Sequence, residues 1–348
     1  MIRYCDEYLA DVALAASSIP DADKLFNSTI LLTGSTGLIG SSVADILLQL
    51  NKTRNAGIKL VLAGRNAAKI AARFPFFREG EDYFFLPYDA TGEQTIHVQA
   101  DFIIHAASNA NPAVYTKEPV ETMLANLIGL NSLLSAAKDM NSKRVLYISS
   151  SEVYGKIPEN RPYVENDFGY VDILAPRSCY PSAKRAAETL CVSYAEEYGI
   201  ETVMVRPGHI YGPAITATDS RASAEFTRDA SAGRDIVMKS RGQQLRSYCF
   251  CLDCASAILT VLLKGETGNA YNISNRDSIC TISDIAHALA EAAGRTVVFQ
   301  DATELEKKGF NQMSCSALNA EKLEALGWKA CFDLTAGAAK TLKYYQEV

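Results

Sequence analysis

Residues 30–47 read ILLTGSTGLIGSSVADIL, and this stretch decides the fold. Thr29 to Thr33 has the length and composition of a buried strand, Gly34, Gly37 and Gly40 mark a turn, and apolar spacing continues beyond them as a helix to about Leu50. Glycine spacing alone is weak evidence, and its plain alternative is a tight turn without a ligand. Strand, glycine turn and helix in that order give it meaning: glycine lets the backbone approach a pyrophosphate, whose charge then meets N–H groups at the helix N-terminus. The segment predicts a dinucleotide site contributed by Gly34, Thr36, Gly37, Leu38, Ile39 and Gly40.

Working outward, strand-like runs recur at Lys59–Ala63, Tyr83–Leu86, Asp101–His105, Arg144–Ser149 and Glu201–Arg206, separated by segments with helical spacing. Strands alternating with helices predict an α/β fold with a doubly wound parallel sheet, the Rossmann arrangement. After Gly212 the pattern changes to mixed short elements that end in a helix-like stretch, Leu334 to Tyr345. The expected division is an N-terminal helical extension over 1–27, a dinucleotide-binding domain carrying the reactive pair over 28–212, and a smaller C-terminal mixed α/β substrate lobe over 213–348.

Composition narrows the partners. A net charge of −6 on 348 residues supplies no basic face, so no nucleic-acid partner is expected. Nine cysteines, an odd number without a paired C-x2-C frame, read as reduced thiols in a cytoplasmic protein. Cys249, Cys251 and Cys254 cluster in RSYCFCLD, a strand-like stretch with no fourth ligand, and no metal is expected. Asp6, Glu7 and Asp11 interrupt the start of the chain where an export signal needs an apolar run. No uncharged stretch approaches the roughly 20 apolar residues of a membrane helix, so no membrane partner is expected.

The end of the second strand reads VLAGRN, with Arg65 where an acid would accept a ribose 2'-hydroxyl. Arg65 either pairs with a 2'-phosphate or stacks on the adenine and faces solvent. Asp89, after the next strand, is a candidate acceptor for the adenine amino group. The cofactor is therefore NAD or NADP.

In SCYPSAKRAAETL, Tyr180 and Lys184 stand four apart on one helix face. An ammonium beside a phenol favours the phenolate and lowers its pKa, which makes Tyr180 a base for an alcohol proton. Upstream, RVLYISSSEVYG ends a strand with Ser149, Ser150, Ser151 and Glu152. A hydroxyl there orients the same substrate oxygen. Glu152 either acts as acid or base beside a reacting sugar, or caps the turn and pairs with a cation.

The motifs GSTGLIG, HAASNANPAVYTKEPVETMLANLIGLNSLLSAAK, SSSEVYG, PRSCYPSAKRAAETLC, RPGHIYGP and GQQLRSYCFCLDCASAI together resemble the nucleotide-sugar epimerase/dehydratase branch of the extended short-chain dehydrogenases, and within it most resemble the UDP-glucuronate decarboxylases. The resemblance runs from about Thr29 to the C-terminus. It implies Ser150 at the catalytic Ser/Thr position, Glu152 as the glutamate shared by decarboxylases and 4,6-dehydratases, and Tyr180 with Lys184 as base and partner. It also implies Ala106 and Ala107 beside the cofactor, Arg246 on the diphosphate of a nucleotide sugar, and Arg177 in the active site, the bland alternative for Arg177 being a salt bridge. His209 and Glu225 stand where relatives commonly carry asparagines, and Arg65 replaces the acid of an NAD enzyme.

The activity implied is oxidation of the sugar C4 hydroxyl through a bound nicotinamide. A C5 carboxylate then leads to decarboxylation, a C6 hydroxyl to 4,6-dehydration, and hydride return alone to 4-epimerisation. An NADPH-dependent 4-ketosugar reductase is the remaining enzymatic alternative. A dinucleotide-sensing module without catalysis does not need Ser150, Tyr180 and Lys184 together. Relatives pair two long helices per subunit, and the spacing in Val120–Ala137 and Ala183–Tyr198 permits a homodimer of that kind or simple packing on the sheet.

Overall fold

A computed structural model describes residues 2–108, 110–300 and 314–346. The first strands are β1 (Thr29–Thr33), β2 (Lys59–Gly64), β3 (Phe84–Pro87), β4 (Phe102–His105), β5 (Arg144–Ile148) and β6 (Thr202–Pro207). They are followed by β7 (His209–Tyr211), β8 (Ile236–Met238), β9 (Leu245–Phe250), β10 (Ala270–Ile273), β11 (Ile279–Thr281), β12 (Val297–Phe299) and β13 (Cys315–Ser316). A seven-stranded parallel sheet runs β10-β6-β5-β4-β1-β2-β3, so the chain reverses direction between β1 and β4. Ligands bind at such a switch point, outside the carboxyl ends of the strands.

Side chains along the central strands are buried on both faces and alternate between two cores, as their period of two requires. Ile30, Leu32, Leu60, Leu62, Ile104 and Leu146 face one core with helices α1 (Asp6–Ser17), α2 (Leu38–Arg54) and, from later in the chain, Cys251–Lys264. Leu31, Val61, Ile103, Val145 and Tyr147 face the other core. After α3 (Ala67–Arg73) and the short α4 (Pro112–Lys117), that second layer is built by α5 (Pro119–Met140) and α6 (Cys179–Tyr198), which pack on each other. Among the described residues α5, with 22 residues, is the one helix long and apolar enough to cross a membrane. Its Leu130, Leu133, Leu134 and Ala137 are buried against the sheet, which accounts for that composition.

The remaining helices are α7 (Ala222–Ser231), α8 (Cys251–Lys264), α9 (Ile282–Ala292), α10 (Glu321–Glu324) and α11 (Leu334–Tyr344). A smaller lobe forms where β9 pairs with β7, β11 and β13, and β8 pairs with β12. The expected boundary at Gly212 does not hold in space. β10 returns to the main sheet beside β6, and α8 packs against α2, because both are almost wholly apolar and need two buried faces. RSYCFCLD is likewise only half strand: β9 ends at Phe250, and Cys251 and Cys254 lie in α8.

The N-terminal segment is part of the core rather than an extension of it. Tyr8, Val12 and Ala15 of α1 are fully buried. The Tyr4 and Tyr8 hydroxyls donate to the two oxygens of Asp45 at 2.5 and 2.6 Å, and Arg73 Nη2 donates to the same carboxylate at 2.8 Å. Lys340 and the Tyr344 hydroxyl hold Asp11 at 2.7 and 2.6 Å, and Ile2 bridges to Tyr345. Residues 2–17 thus tie α2 and α3 to the last helix.

Asp45 and Arg73 are both nearly inaccessible, so removing the acid leaves a buried cation without a counter-charge. Asp45→Ala is expected to lower the unfolding free energy by about 3–5 kcal/mol, whereas Asp21→Asn, which breaks an exposed pair with Lys24 and suits the left-handed backbone there, leaves it close to that of the parent. Urea denaturation of both variants against the parent measures this.

Candidate active site

The glycine turn joins β1 to α2. Gly34 has φ +69°, and a Cβ on it would lie 2.6 Å from the Ala106 carbonyl carbon and 2.8 Å from the Ala107 nitrogen. A Cβ on Gly40 would lie 2.3 Å from the Gly34 oxygen. Only hydrogen fits at either place. Gly37 occupies the N-cap of α2 without any side-chain cap, which leaves the first-turn amides facing the cleft without an intrahelical partner. Ser35 Oγ is buried with no hydrogen-bond partner. A backbone-lined concavity at a helix N-terminus with an orphaned hydroxyl fits a dinucleotide pyrophosphate. Thr36, Leu38 and Ile39 lie in the same turn and first helical turn.

Ala106 and Ala107 lie against this turn, and their amides are committed elsewhere. Both donate to Thr33 Oγ1 at 3.1 Å. Thr33 Oγ1, with both acceptor positions in use, donates in turn to His105 Nδ1 at 2.8 Å. Burial holds the His105 ring neutral, its pKa lowered to about 3. Arg65 is exposed after β2. Asp89 accepts from the Thr91 amide and hydroxyl at 3.0 and 2.8 Å, which together with nearby Arg65 holds its carboxyl below the usual range. Asp89 Oδ1 is therefore already in use, and Arg65 faces an acid of the protein itself.

At the carboxyl end of β5, a 3-10 turn over Ser151–Tyr154 is capped by Ser150, whose Oγ accepts from the Glu152 amide at 3.2 Å. Tyr180, in the first turn of α6, lies beside the Ser150 hydroxyl, which favours its phenolate. Lys184, one turn along, is buried, donates from Nζ to the Ile148 carbonyl at 2.7 Å and lies over the rings of Tyr147 and Tyr180 at 4.6 and 5.6 Å. The structure thus brings Ser150, Tyr180 and Lys184 together.

The acidity of the phenol differs from the expectation. Burial pushes the Tyr180 pKa up, outweighing the hydrogen bond from Ser150 and the charges of Arg221 and Arg177. Lys184 contributes little to lowering it, because burial also depresses the lysine, to about 7. Glu188, the acid one turn further along, is bound to the Arg206 fork at 2.9 and 2.6 Å. The positive charge of a bound oxidised nicotinamide would favour the phenolate, and the protein alone does not supply it.

Glu152 is held by Arg177 through two hydrogen bonds, Nη1 to Oε2 at 2.8 Å and Nη2 to Oε1 at 3.0 Å. The ion pair expected as the bland alternative is present, and it lies beside Tyr180. The aromatic residue that completes the cluster, Tyr115 of α4, escaped sequence reasoning. Its ring stacks on Tyr180 with centroids 5.1 Å apart and planes 12° from parallel, its hydroxyl donates to Glu152 Oε1 at 3.3 Å, and the Arg177 guanidinium lies 4.8 Å from its centroid. No spacing rule links residue 115 to residue 180.

The lobe side of the cleft carries His209 on β7 and Arg246 on β9. Burial and the charges of Arg246 and Arg221 lower His209 to about 3, so its ring is neutral, and its Nδ1 is buried without a partner. Arg246 is buried with Nη1 on the Leu245 carbonyl at 2.8 Å. Arg221, a second residue sequence reasoning missed, stands at the entry to α7, bound to Asp219 and donating to the Ile210 carbonyl at 3.3 Å. Glu225 lies in the first turn of α7 on the exposed surface. Among the described residues no group of His, Cys, Asp and Glu is arranged to hold a metal ion.

A glycine turn at the switch point of a parallel sheet, with Ser, Tyr and Lys at the neighbouring strand end, defines a dinucleotide-dependent enzyme of the short-chain dehydrogenase architecture. The family model described as the NAD dependent epimerase/dehydratase family matches residues 30–274, and the chain belongs to that family of enzymes. Among curated relatives it is 32% identical over 266 residues to UDP-glucuronic acid decarboxylase 6 of Arabidopsis thaliana, covering 76% of this chain and 74% of that one. It is 27% identical over 327 residues to UDP-glucuronic acid decarboxylase 1 of Xenopus tropicalis, covering 91% and 72%. In fold it is similar to a UDP-glucose 4-epimerase of Thermotoga maritima solved with UDP-glucose, with a TM-score of 0.76 at 22% identity over 91% of this chain and 98% of that one.

Two outcomes follow from this geometry. Gly40→Ala is expected to cost about 1–3 kcal/mol of stability by overpacking and to weaken dinucleotide binding, as read by urea denaturation and by calorimetric titration with NAD. Lys184, lowered from 10.5 to about 7, keeps its proton in the unfolded chain through a range where the folded chain releases it. The burial penalty is complete below pH 7 and disappears as pH rises, so the parent gains stability relative to Lys184→Met by up to about 1.4 kcal/mol per pH unit above 7. Denaturation of both proteins at roughly pH 6, 7.5 and 9 tests the sign.

Proposed function

We propose that the protein decarboxylates a nucleoside-diphosphate uronate, with UDP-glucuronate the first candidate, by oxidising the sugar at C4. The observation that carries this reading is the convergence of Ser150, Glu152 and Tyr180 at the end of β5 and the start of α6. The names of the curated relatives support the choice of substrate.

The residues fit a nicotinamide dinucleotide, held by Gly34–Gly40 on its pyrophosphate and by Lys184 near Tyr180. When bound, that group supplies the acceptor for the C4 hydride and later returns it. Ser150 orients the C4 oxygen, and Tyr180 takes its proton as the alcohol becomes a ketone. The ketone makes the C5 carboxylate a β-keto acid. Its C5–C6 bond breaks with loss of CO2, and the electron pair moves to an enolate on O4 that the Ser150 and Tyr180 hydroxyls stabilise. Protonation at C5, with Glu152 the nearest acid or base of the cluster, gives a 4-keto pentose, and the hydride returned to C4 together with the Tyr180 proton on O4 completes the pentose. Arg246, Arg221 and neutral His209 are positioned as donors for the diphosphate and sugar.

We assign NAD as the cofactor on the family's description; exposed Arg65 is the group that would meet a 2'-phosphate. We also propose a homodimer in a reducing, cytoplasmic setting. The outer faces of α5 and α6 form a shallow groove along Leu127, Ile128 and Leu190, with Val120, Met123 and Val192 exposed beside it, a surface suited to a second copy.

Incubation with UDP-glucuronate and NAD, followed by mass spectrometry, is expected to show loss of CO2, with no change for UDP-glucose or dTDP-glucose. Tyr180→Phe is expected to lower the rate by roughly 10²–10⁴-fold with cofactor still bound. Loss of water from a hexose moves the assignment to a 4,6-dehydratase, and stoichiometric consumption of NADPH moves it to a reductase.

A further inference from the structure

The site's two reactive groups are an oxygen of α6 and an oxygen of the turn after β5, and the residue that touches both belongs to neither element. Tyr115 lies 65 residues before Tyr180 in the chain (180 − 115) and 37 before Glu152. It is 1% exposed, and among the described residues its one close aromatic neighbour is the Tyr180 ring, stacked at 5.1 Å and 12°. Tyr115, Cys179 and Tyr180 form a small apolar cluster separate from the main cores. Cys179 Sγ lies 3.5 Å from the Tyr115 carbonyl, so the backbone of α4 is fastened to the first residue of α6. From the other end, the Tyr115 hydroxyl reaches Glu152, and Arg177 holds Glu152 with both nitrogens while lying over the Tyr115 ring.

We infer that Tyr115 is a positioning residue that couples the two halves of the reaction: its ring fixes the rotamer of the Tyr180 base, and its hydroxyl fixes Glu152. Two physical arguments support it. A phenol has a rotatable ring on a single Cβ, and a parallel stack at this distance excludes water from its neighbour and removes ring rotation as a freedom. A carboxylate with a bidentate arginine still swings with that arginine, since both side chains are about a third to a half exposed. The Tyr115 hydroxyl, anchored in a buried ring, is the fixed point of that pair.

The two functions of one side chain separate by substitution. Tyr115→Phe keeps the stack and loses the hydroxyl. Tyr115→Ala loses both. The inference rests on the C4-oxidation reading, and single-turnover measurement distinguishes its failure from the failure of that reading. In single turnover, Tyr115→Phe is expected to reduce bound NAD and release CO2 from UDP-glucuronate at rates within about twofold of the parent, because ring packing is kept, but to protonate C5 and form the pentose at least tenfold more slowly. Tyr115→Ala is expected to lose roughly 100-fold in NAD reduction, the scale of a misplaced reacting group, while calorimetry shows an unchanged dissociation constant for NAD. A parent that neither reduces NAD nor releases CO2 overturns the function, not the coupling. A turning-over parent whose Phe and Ala variants slow both steps equally, or neither, overturns the coupling and leaves Tyr115 as packing.

Discussion

The structure depends on one close approach: the backbone of Gly34 against that of Ala106 and Ala107 at the point where the sheet reverses its order. Two strands must end at the same height and lie close enough for the turn after β1 to touch the turn after β4. Thr33 enforces this by receiving both amides on one hydroxyl and giving its proton to His105. A β-branched residue that ends a buried strand thus takes over the hydrogen bonds the sheet can no longer provide, which a buried backbone requires. The glycines fit the cofactor loop because this contact has already removed the space for a Cβ.

The same contact extends into the reactive centre. His105 stacks on Tyr147 at 5.9 Å, the Tyr147 hydroxyl donates to Asn126 at 2.8 Å, and Tyr147 presents its ring to Lys184. A line of buried polar and aromatic groups therefore runs from the glycine turn to the Tyr/Lys pair across β4 and β5. Buried networks of this kind are rigid because any break leaves an unsatisfied group in a low dielectric. The rigidity has an electrostatic cost: Tyr180 and Lys184 are both driven toward their neutral forms. A cationic ring arriving in the cleft would oppose that trend for the phenol by favouring its charged form.

How much of this was legible in sequence follows from the range of each interaction. β1, β2, β4 and β5 were readable to within a residue because a strand buried on both faces must be written as an uninterrupted apolar run. Ser150, Tyr180 and Lys184 were readable because their spacing is local to one strand end and one helix turn. The return of β10 to the main sheet was not, since four residues, AYNI, have the same composition as a strand of the lobe. The N-terminal segment looked separable because its anchors, Asp45, Arg73 and Lys340, are polar and lie 37 to 329 residues from their partners. Tyr115 looked like any helix aromatic, and its role exists only in the pairing of α4 with α6.

Two ion pairs in the molecule show how differently the same chemistry is used. Arg206 and Glu188 are buried, with side chains 4% and 11% exposed, and the Tyr154 hydroxyl and the Glu165 carbonyl also engage the arginine. Separating them leaves a charge without water, so the pair is fixed structure. Arg177 and Glu152 are 50% and 33% exposed, where a pair contributes on the order of 0–1 kcal/mol and either partner can turn to a new ligand at little cost. A carboxylate that must meet a substrate belongs in the second kind of pair. Its arginine then serves as a placeholder for whatever anionic or hydroxylated group enters the cleft, and the buried Tyr115 hydroxyl keeps Glu152 from following the arginine when it moves.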